Sequence, residues 1–164
     1  MSEIVRALQP SDWQAVRRIY LEGIATGNAT FETAAPEWEK WDRSHLPSCR
    51  LVAADGDEVV GWAALSPVST RRVYAGVAEV TVYVATLSRN RGVGKLLLSA
   101  LINESEAQGI WTLQAGIFPE NTASVALHKS LGFREVGVRE RLGKLSGVWQ
   151  DVMLLERRSS TVGS

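Results

Sequence analysis

The stretch that most restricts how this chain can fold is 78–105, where a β-branched and aromatic run, "AEVTVYVA", meets "SRNRGVGKLL" and then a long apolar segment. The first run reads as a buried strand. The second places two glycines (Gly92, Gly94) and three cations (Arg89, Arg91, Lys95) just where the next element begins. Val93, Leu96, Leu97, Ala100, Leu101 and Ser105 then recur at helical spacing, predicting a helix that ends near Gly109. Backbone N–H groups point outward from a helix N-terminus, where the macrodipole is positive, so a flexible cationic turn at that place predicts an anion as guest. Eighteen Lys plus Arg balance eighteen Asp plus Glu over 164 residues, so the positive charge here is local and no general basic field speaks for nucleic acid.

Around this unit the chain alternates readable elements. "EIVRAL" (3–8) is a strand, and Ser11-Asp-Trp-Gln14 resembles a capping box ahead of Trp13, Val16, Ile19, Tyr20 and Ile24 at helical spacing. Pro36 can open a short helix with Trp38 and Trp41 on one face, and "RLVAADGDEVVGWAAL" reads as a hairpin about Asp55-Gly56-Asp57. "IWTLQAGIF" (110–118) is another strand, Asn121 through Leu131 a helix closed by Gly132, and "REVGVRERL" and "WQDVMLLER" two last strands around Ser146-Gly147. The order β-α-α-β-β-β-α-β-α-β-β predicts an α/β domain in which a mixed sheet is flanked by helices. One domain is expected over 1–158, with "SSTVGS" (159–164) as a frayed, flexible polar tail. A single cysteine, Cys49, excludes an internal disulfide and fits a reducing cytosol. No apolar stretch approaches a membrane span and "MSEIVRALQP" lacks a signal-peptide core, so a cytoplasmic protein without membrane partners is expected.

Counting separates the phosphate motifs. A Walker A loop ending at Gly94-Lys95 would need glycine where Arg89 stands and a hydroxyl where Leu96 stands. A dinucleotide fingerprint starting at Gly92 would need a third glycine where Leu97 stands. What remains is Arg89-x-x-Gly92-x-Gly94 between strand and helix. Here the chain resembles the GNAT family of acyl-CoA-dependent N-acetyltransferases, whose corresponding motif is Arg/Gln-x-x-Gly-x-Gly. "ESEAQG" (104–109) and "ENTASVALHKSLGF" (120–133) resemble the following elements of that family in order. "AEVTVYV" and "GVWQDVMLLER" resemble its phosphinothricin and methionine sulfoximine acetyltransferase branch, and the likeness spans residues 3–157.

The resemblance implies acetyl-CoA as co-substrate, with no metal. Its pyrophosphate is expected on the loop Arg89, Asn90, Arg91, Gly92, Val93, Gly94 and Lys95. The pantetheine arm is expected along the backbone of Val82, Tyr83 and Val84 and against Asn121 and Ser124. Glu79, Thr81 and Tyr83 share one face of their strand, and a carboxylate inside "VAEVTVYV" is costly to bury without a partner or a purpose. Glu79 is the expected general base, because an ammonium must lose a proton before its nitrogen can attack a thioester. Asn121, Ser124 and His128, at i, i+3 and i+7, fall on one helix edge. His128 stands where many GNAT members carry a tyrosine that protonates the departing thiolate, and imidazole can act as acid or base near neutrality. His45, the other histidine, reads as structural.

For the acceptor, Arg71 and Arg72 before Tyr74 can clamp an anion bidentately. The branch places an aromatic near Phe31. It also implies a homodimer in which Trp149 and its neighbours close the pocket from a second subunit. The expected acceptor is the α-amine of a small amino acid or of an analogue such as phosphinothricin or methionine sulfoximine. A polyamine, aminoglycoside or protein N-terminus as acceptor, or a catalytically silent CoA-binding sensor, are the competing readings.

Overall fold

The β-rich runs and periodic segments fold in the order their spacing predicts. The computed structural model describes residues 3–163. Its elements are β1 (Ile4–Ala7), α1 (Trp13–Ala25), α2 (Trp38–Ser44), β2 (Leu51–Asp55), β3 (Glu58–Pro67), β4 (Val77–Val84), α3 (Val93–Ala107), β5 (Thr112–Ile117), α4 (Thr122–Ser130), β6 (Arg134–Leu145) and β7 (Val148–Arg158). The strands form a seven-stranded sheet in the order β1-β2-β3-β4-β5-β7-β6. All neighbours run antiparallel except β4 and β5, which are joined by the crossover helix α3 and run parallel.

That parallel pair positions the site. Its ladder holds only three rungs, Val77–Thr112, Ala78–Leu113 and Glu79–Gln114, after which the strands part. On its other side β4 stays paired with β3 all the way to Val84–Gly61. The helices cover opposite faces. Leu97, Leu98 and Leu101 of α3 pack with Leu65, Val80 and Leu155, while Val16 and Ile19 of α1 pack with Trp41, Val52 and Trp62 on the other side. Trp41 and Trp62 are fully buried, and their indole N–H groups have no hydrogen-bond partner among the described residues.

Three local expectations need correction. Leu96 is 40% exposed, while Leu98 and Ile102 are buried, because the stripe of α3 is centred on Leu97 and Leu101 and Leu96 falls on the far side. The first helix is not capped by Ser11: a short 3₁₀ turn at Pro10–Asp12 precedes it, and Asp12 accepts from the Gln9 N–H at 2.8 Å and from both terminal nitrogens of the Arg6 guanidinium. The strands at the end of the chain also run longer than their apolar pattern suggests, through Leu145 and to Arg158. Beyond them, Ser159 donates to Glu106 at 2.6 Å and Arg158 donates to the carbonyls of Val162 and Gly163. No helix among the described residues is long and apolar enough to cross a membrane.

Candidate active site

Where β4 and β5 diverge, they leave a cavity of about 730 Å³ lined by Val80–Val84 on one strand and Ala115–Ile117 on the other. Backbone groups on these inner edges have no strand to pair with, and unpaired main chain is costly once water is excluded. A guest carrying amides along an extended arm satisfies them as an added strand does.

At one end of the cavity lies the cationic loop. Asn90 (φ 62°) and Gly92 (φ 82°) are both left-handed, and a Cβ added at Gly92 would meet no atom within 4 Å, so glycine serves the turn and leaves its outer face open. The first intrahelical bond of α3 is Leu96 N–H to Gly92 C=O, at 3.0 Å, and no side chain caps the helix. The N–H groups of Val93, Gly94 and Lys95 are therefore free for an anion. Gly94 serves a different purpose: a Cβ there would stand 3.2 Å from Leu127 of α4 and 3.7 Å from Val84, so its absence lets α3 seat closely. Arg89, Asn90 and Lys95 line the cavity. Arg91 does not. It turns to the far side of the loop, 3.2 Å from Glu3 and 3.8 Å from Asp55.

Asn121, Ser124 and His128 share the cavity wall on α4. The Asn121 side chain caps that helix, accepting from the Ser124 N–H at 3.3 Å. His128 is buried, edge-on to Phe133, and its Nδ1 stands 2.7 Å from the Ser124 carbonyl. A carbonyl only accepts, so Nδ1 carries the proton and, in the neutral ring, Nε2 keeps a lone pair. Burial pushes the His128 pKa below its ordinary value, partly offset by that carbonyl, so the imidazole is neutral near pH 7.

Glu79 sits at the last rung before the strands part. Its half-buried carboxylate accepts from Gln114 Nε2 at 3.0 Å and has no cation within ion-pair distance among the described residues. Tyr83, two positions past Thr81 on the same face, stacks on Trp62 and Tyr20. Burial, then the neighbouring Tyr20, push its phenol well above the ordinary value, so it stays neutral. Phe31 reaches the cavity from the segment after α1 and meets Phe118 edge-on, with ring centres 4.8 Å apart.

The acceptor clamp read from sequence lies elsewhere. Arg71, Arg72 and Tyr74 are exposed on the loop before β4 and line no part of this cavity, and Arg71 rests over the Tyr74 ring. Trp149 is also outside it, under Arg141 and Lys144. The sequence reading missed Gln114, Arg139, Leu142, Val152 and Leu154, all of which line the cavity. Of these only Gln114 was within reach, as the alternation partner of a carboxylate-bearing strand.

A parted parallel pair, an uncapped helix N-terminus at one end of the cavity and a carboxylate without a cation partner suit an acyl-CoA-dependent N-acyltransferase. The comparisons narrow this class. A model of the acetyltransferase (GNAT) domain matches residues 5–154. An L-methionine sulfoximine/L-methionine sulfone acetyltransferase of Pseudomonas aeruginosa is 36% identical over 162 residues, covering 95% of this chain and 94% of that one. A phosphinothricin N-acetyltransferase of Streptomyces coelicolor is 34% identical over 161 residues, covering 93% and 94%. A solved GNAT superfamily phosphinothricin acetyltransferase from Sinorhizobium meliloti, in complex with AcCoA, matches with a TM-score of 0.89 at 27% identity, covering 99% of this chain and 91% of that one. The chain belongs to the GNAT family and is an N-acetyltransferase that uses acetyl-CoA.

Proposed function

We propose that this enzyme acetylates the α-amine of a small amino acid or of an analogue of the phosphinothricin or methionine sulfoximine type. The observation that carries the reading is Glu79: a carboxylate without a cation, held by Gln114 at the point where the strands open. The names of its relatives support the same substrate class.

Acetyl-CoA supplies the acetyl group as a thioester. The loop with Arg89, Asn90 and Lys95 and the free N–H groups of Val93, Gly94 and Lys95 hold the pyrophosphate. The inner edge from Val82 to Val84, with Asn121 and Ser124, holds the pantetheine arm. An ammonium that becomes an amide sheds two protons. Glu79 takes the first, directly or through water. In this reading the lone pair on His128 Nε2 receives the second and returns it to the departing sulfur, so the residue begins the cycle as a base and ends it as an acid.

A thiol-release assay over amino acids, sulfoximines, polyamines and peptides tests the substrate class. Turnover confined to the first two groups is the expected result, and preference for polyamines or peptides would refute it. We further propose a cytoplasmic homodimer, supported by the apolar exposure of Val136, Val138, Val148 and Trp149 on β6 and β7. Sedimentation of the purified chain as a monomer at micromolar concentration would refute the dimer.

A further inference from the structure

An α-amino acid presents two charges, and Glu79 accounts for only one. A group is needed for the carboxylate, and Arg71 and Arg72 do not reach the cavity of their own protomer. Three cations line it: Arg89, Lys95 and Arg139. The first two flank the N-terminus of α3, at the pyrophosphate end. The third enters from β6.

Register shows which side of the sheet Arg139 faces, because paired residues share a face. Glu79 pairs with Gln114, and Gly116, two positions on, pairs with Leu154. Val152 lies two positions from Leu154 and pairs with Arg139. Arg139 is therefore on the same face as the Glu79 carboxylate, across the opening between β4 and β5.

The strand is irregular just beyond it. Between the pairs Arg139–Val152 and Gly143–Gln150, β6 inserts three residues where β7 has one. This bulge is pinned by the Arg141 N–H, which donates to Asp151 at 2.8 Å with Arg141 at φ 49°. Leu142, inside the bulge, lines the cavity beside Phe31, which packs 3.1 Å from where a Cβ on Gly143 would stand. The Arg139 guanidinium itself has no hydrogen bond or ion pair among the described residues.

We infer that Arg139 binds the carboxylate, or the equivalent acidic group, of the acceptor, while Glu79 receives its amine and Phe31 and Leu142 border its side chain. The inference rests on the amino-acid reading proposed above. It moves recognition of the acid from the loop before β4 to β6, at the residue just before its bulge. A guanidinium suits the task, because its planar fork meets a carboxylate through two parallel bonds.

The test is steady-state kinetics of Arg139→Ala and Arg139→Lys against methionine sulfone and its carboxamide. Loss of a charge-assisted pair should raise the KM of the acid roughly 10- to 100-fold in Arg139→Ala. The carboxamide and acetyl-CoA should keep their KM values within about two-fold, and Arg139→Lys should recover part of the loss. An unchanged KM for the acid, an equal loss for acid and carboxamide, or a loss seen only in an Arg71→Ala/Arg72→Ala variant would overturn the assignment while leaving the substrate class standing. A wild-type enzyme that acetylates other amines but no α-amino acid would overturn the substrate class, and Arg139 with it.

Discussion

Gln114 donates its side-chain amide to Glu79 across the final rung shared by β4 and β5, 3.0 Å from Nε2 to Oε1. The bond fixes one carboxylate oxygen and leaves the other for the substrate. Glu79→Gln keeps the shape but cannot take the ammonium proton, so kcat should fall roughly 10²–10⁴-fold. Raising the pH should restore part of that loss by supplying free amine. Gln114→Leu frees the carboxylate without removing it and should cost about 10-fold in kcat/KM. A pH–rate profile of both variants checks the pair, and full activity of Glu79→Gln at pH 7 would remove the base.

In the proposed cycle His128 begins neutral, with its acceptor lone pair on Nε2. The acid limb of the wild-type kcat profile should therefore lie below the ordinary imidazole value of about 6.5. His128→Asn keeps a donor for the Ser124 carbonyl and removes the lone pair. It should lower kcat less than Glu79→Gln and gain nothing from alkaline buffer. Recovery at high pH would exchange the two roles.

The same burial links His128 to stability. The unfolded chain takes up a proton on this residue near pH 6.5, whereas the folded chain does so only at lower pH, so folding is disfavoured increasingly as pH falls through that window. His45, lowered chiefly by burial, has the same sign. The Arg6 guanidinium holds the Asp12 carboxyl below its ordinary value, so that stabilisation is complete above about pH 4 and is lost further down. Melting temperature should decline between pH 7 and 5, less steeply in His128→Asn. A steeper decline in that variant would contradict the sign.

The loop's cations should separate by direction. Arg91 faces Glu3 and Asp55, and its replacement by Ala should leave acetyl-CoA affinity within about two-fold, because exposed pairs of this kind contribute little. Arg89→Ala and Lys95→Ala should each weaken binding, roughly 10-fold at low salt and less at high salt. Calorimetry at two ionic strengths decides it, and equal losses for all three would mean that Arg91 turns inward on binding.

The two glycines should fail differently. Gly92→Ala strains a left-handed residue by about 1–2 kcal/mol and should lower the melting temperature. Gly94→Val drives its side chain into Leu127, displacing α4 and with it Asn121 and Ser124, so acetyl-CoA binding should suffer severely. Unchanged binding in Gly94→Val would break the link between α3 packing and the cofactor wall.

The legible part of the site was the part written by local periodicity. Glu79 stands out because a charge interrupts an otherwise apolar, β-branched strand, and Asn121, Ser124 and His128 because they share a helical edge. The direction of Arg91 was not legible, since it depends on Glu3 and Asp55, which are distant in the chain. Arg139 and Leu142 were hidden for a physical reason: β6 is an edge strand of mostly exposed residues, and its bulge shifts the alternation that would have marked them as inward-facing. Nor does any local pattern say that the β4–β5 ladder stops at its third rung, although that stop creates the cavity.

A sheet that ceases to pair at Glu79–Gln114 leaves the folded chain short of its full complement of main-chain bonds. In the proposed reading the partner of these edges is the arm of acetyl-CoA rather than a segment of polypeptide. Mass action then makes the chain's own lifetime a record of supply: a ligand at 100 times its Kd adds about 2.7 kcal/mol to the unfolding free energy. Acetyl-CoA bound along β4 and β5 in the proposed way should therefore slow proteolysis of the purified chain, and unchanged cleavage with saturating acetyl-CoA would contradict it.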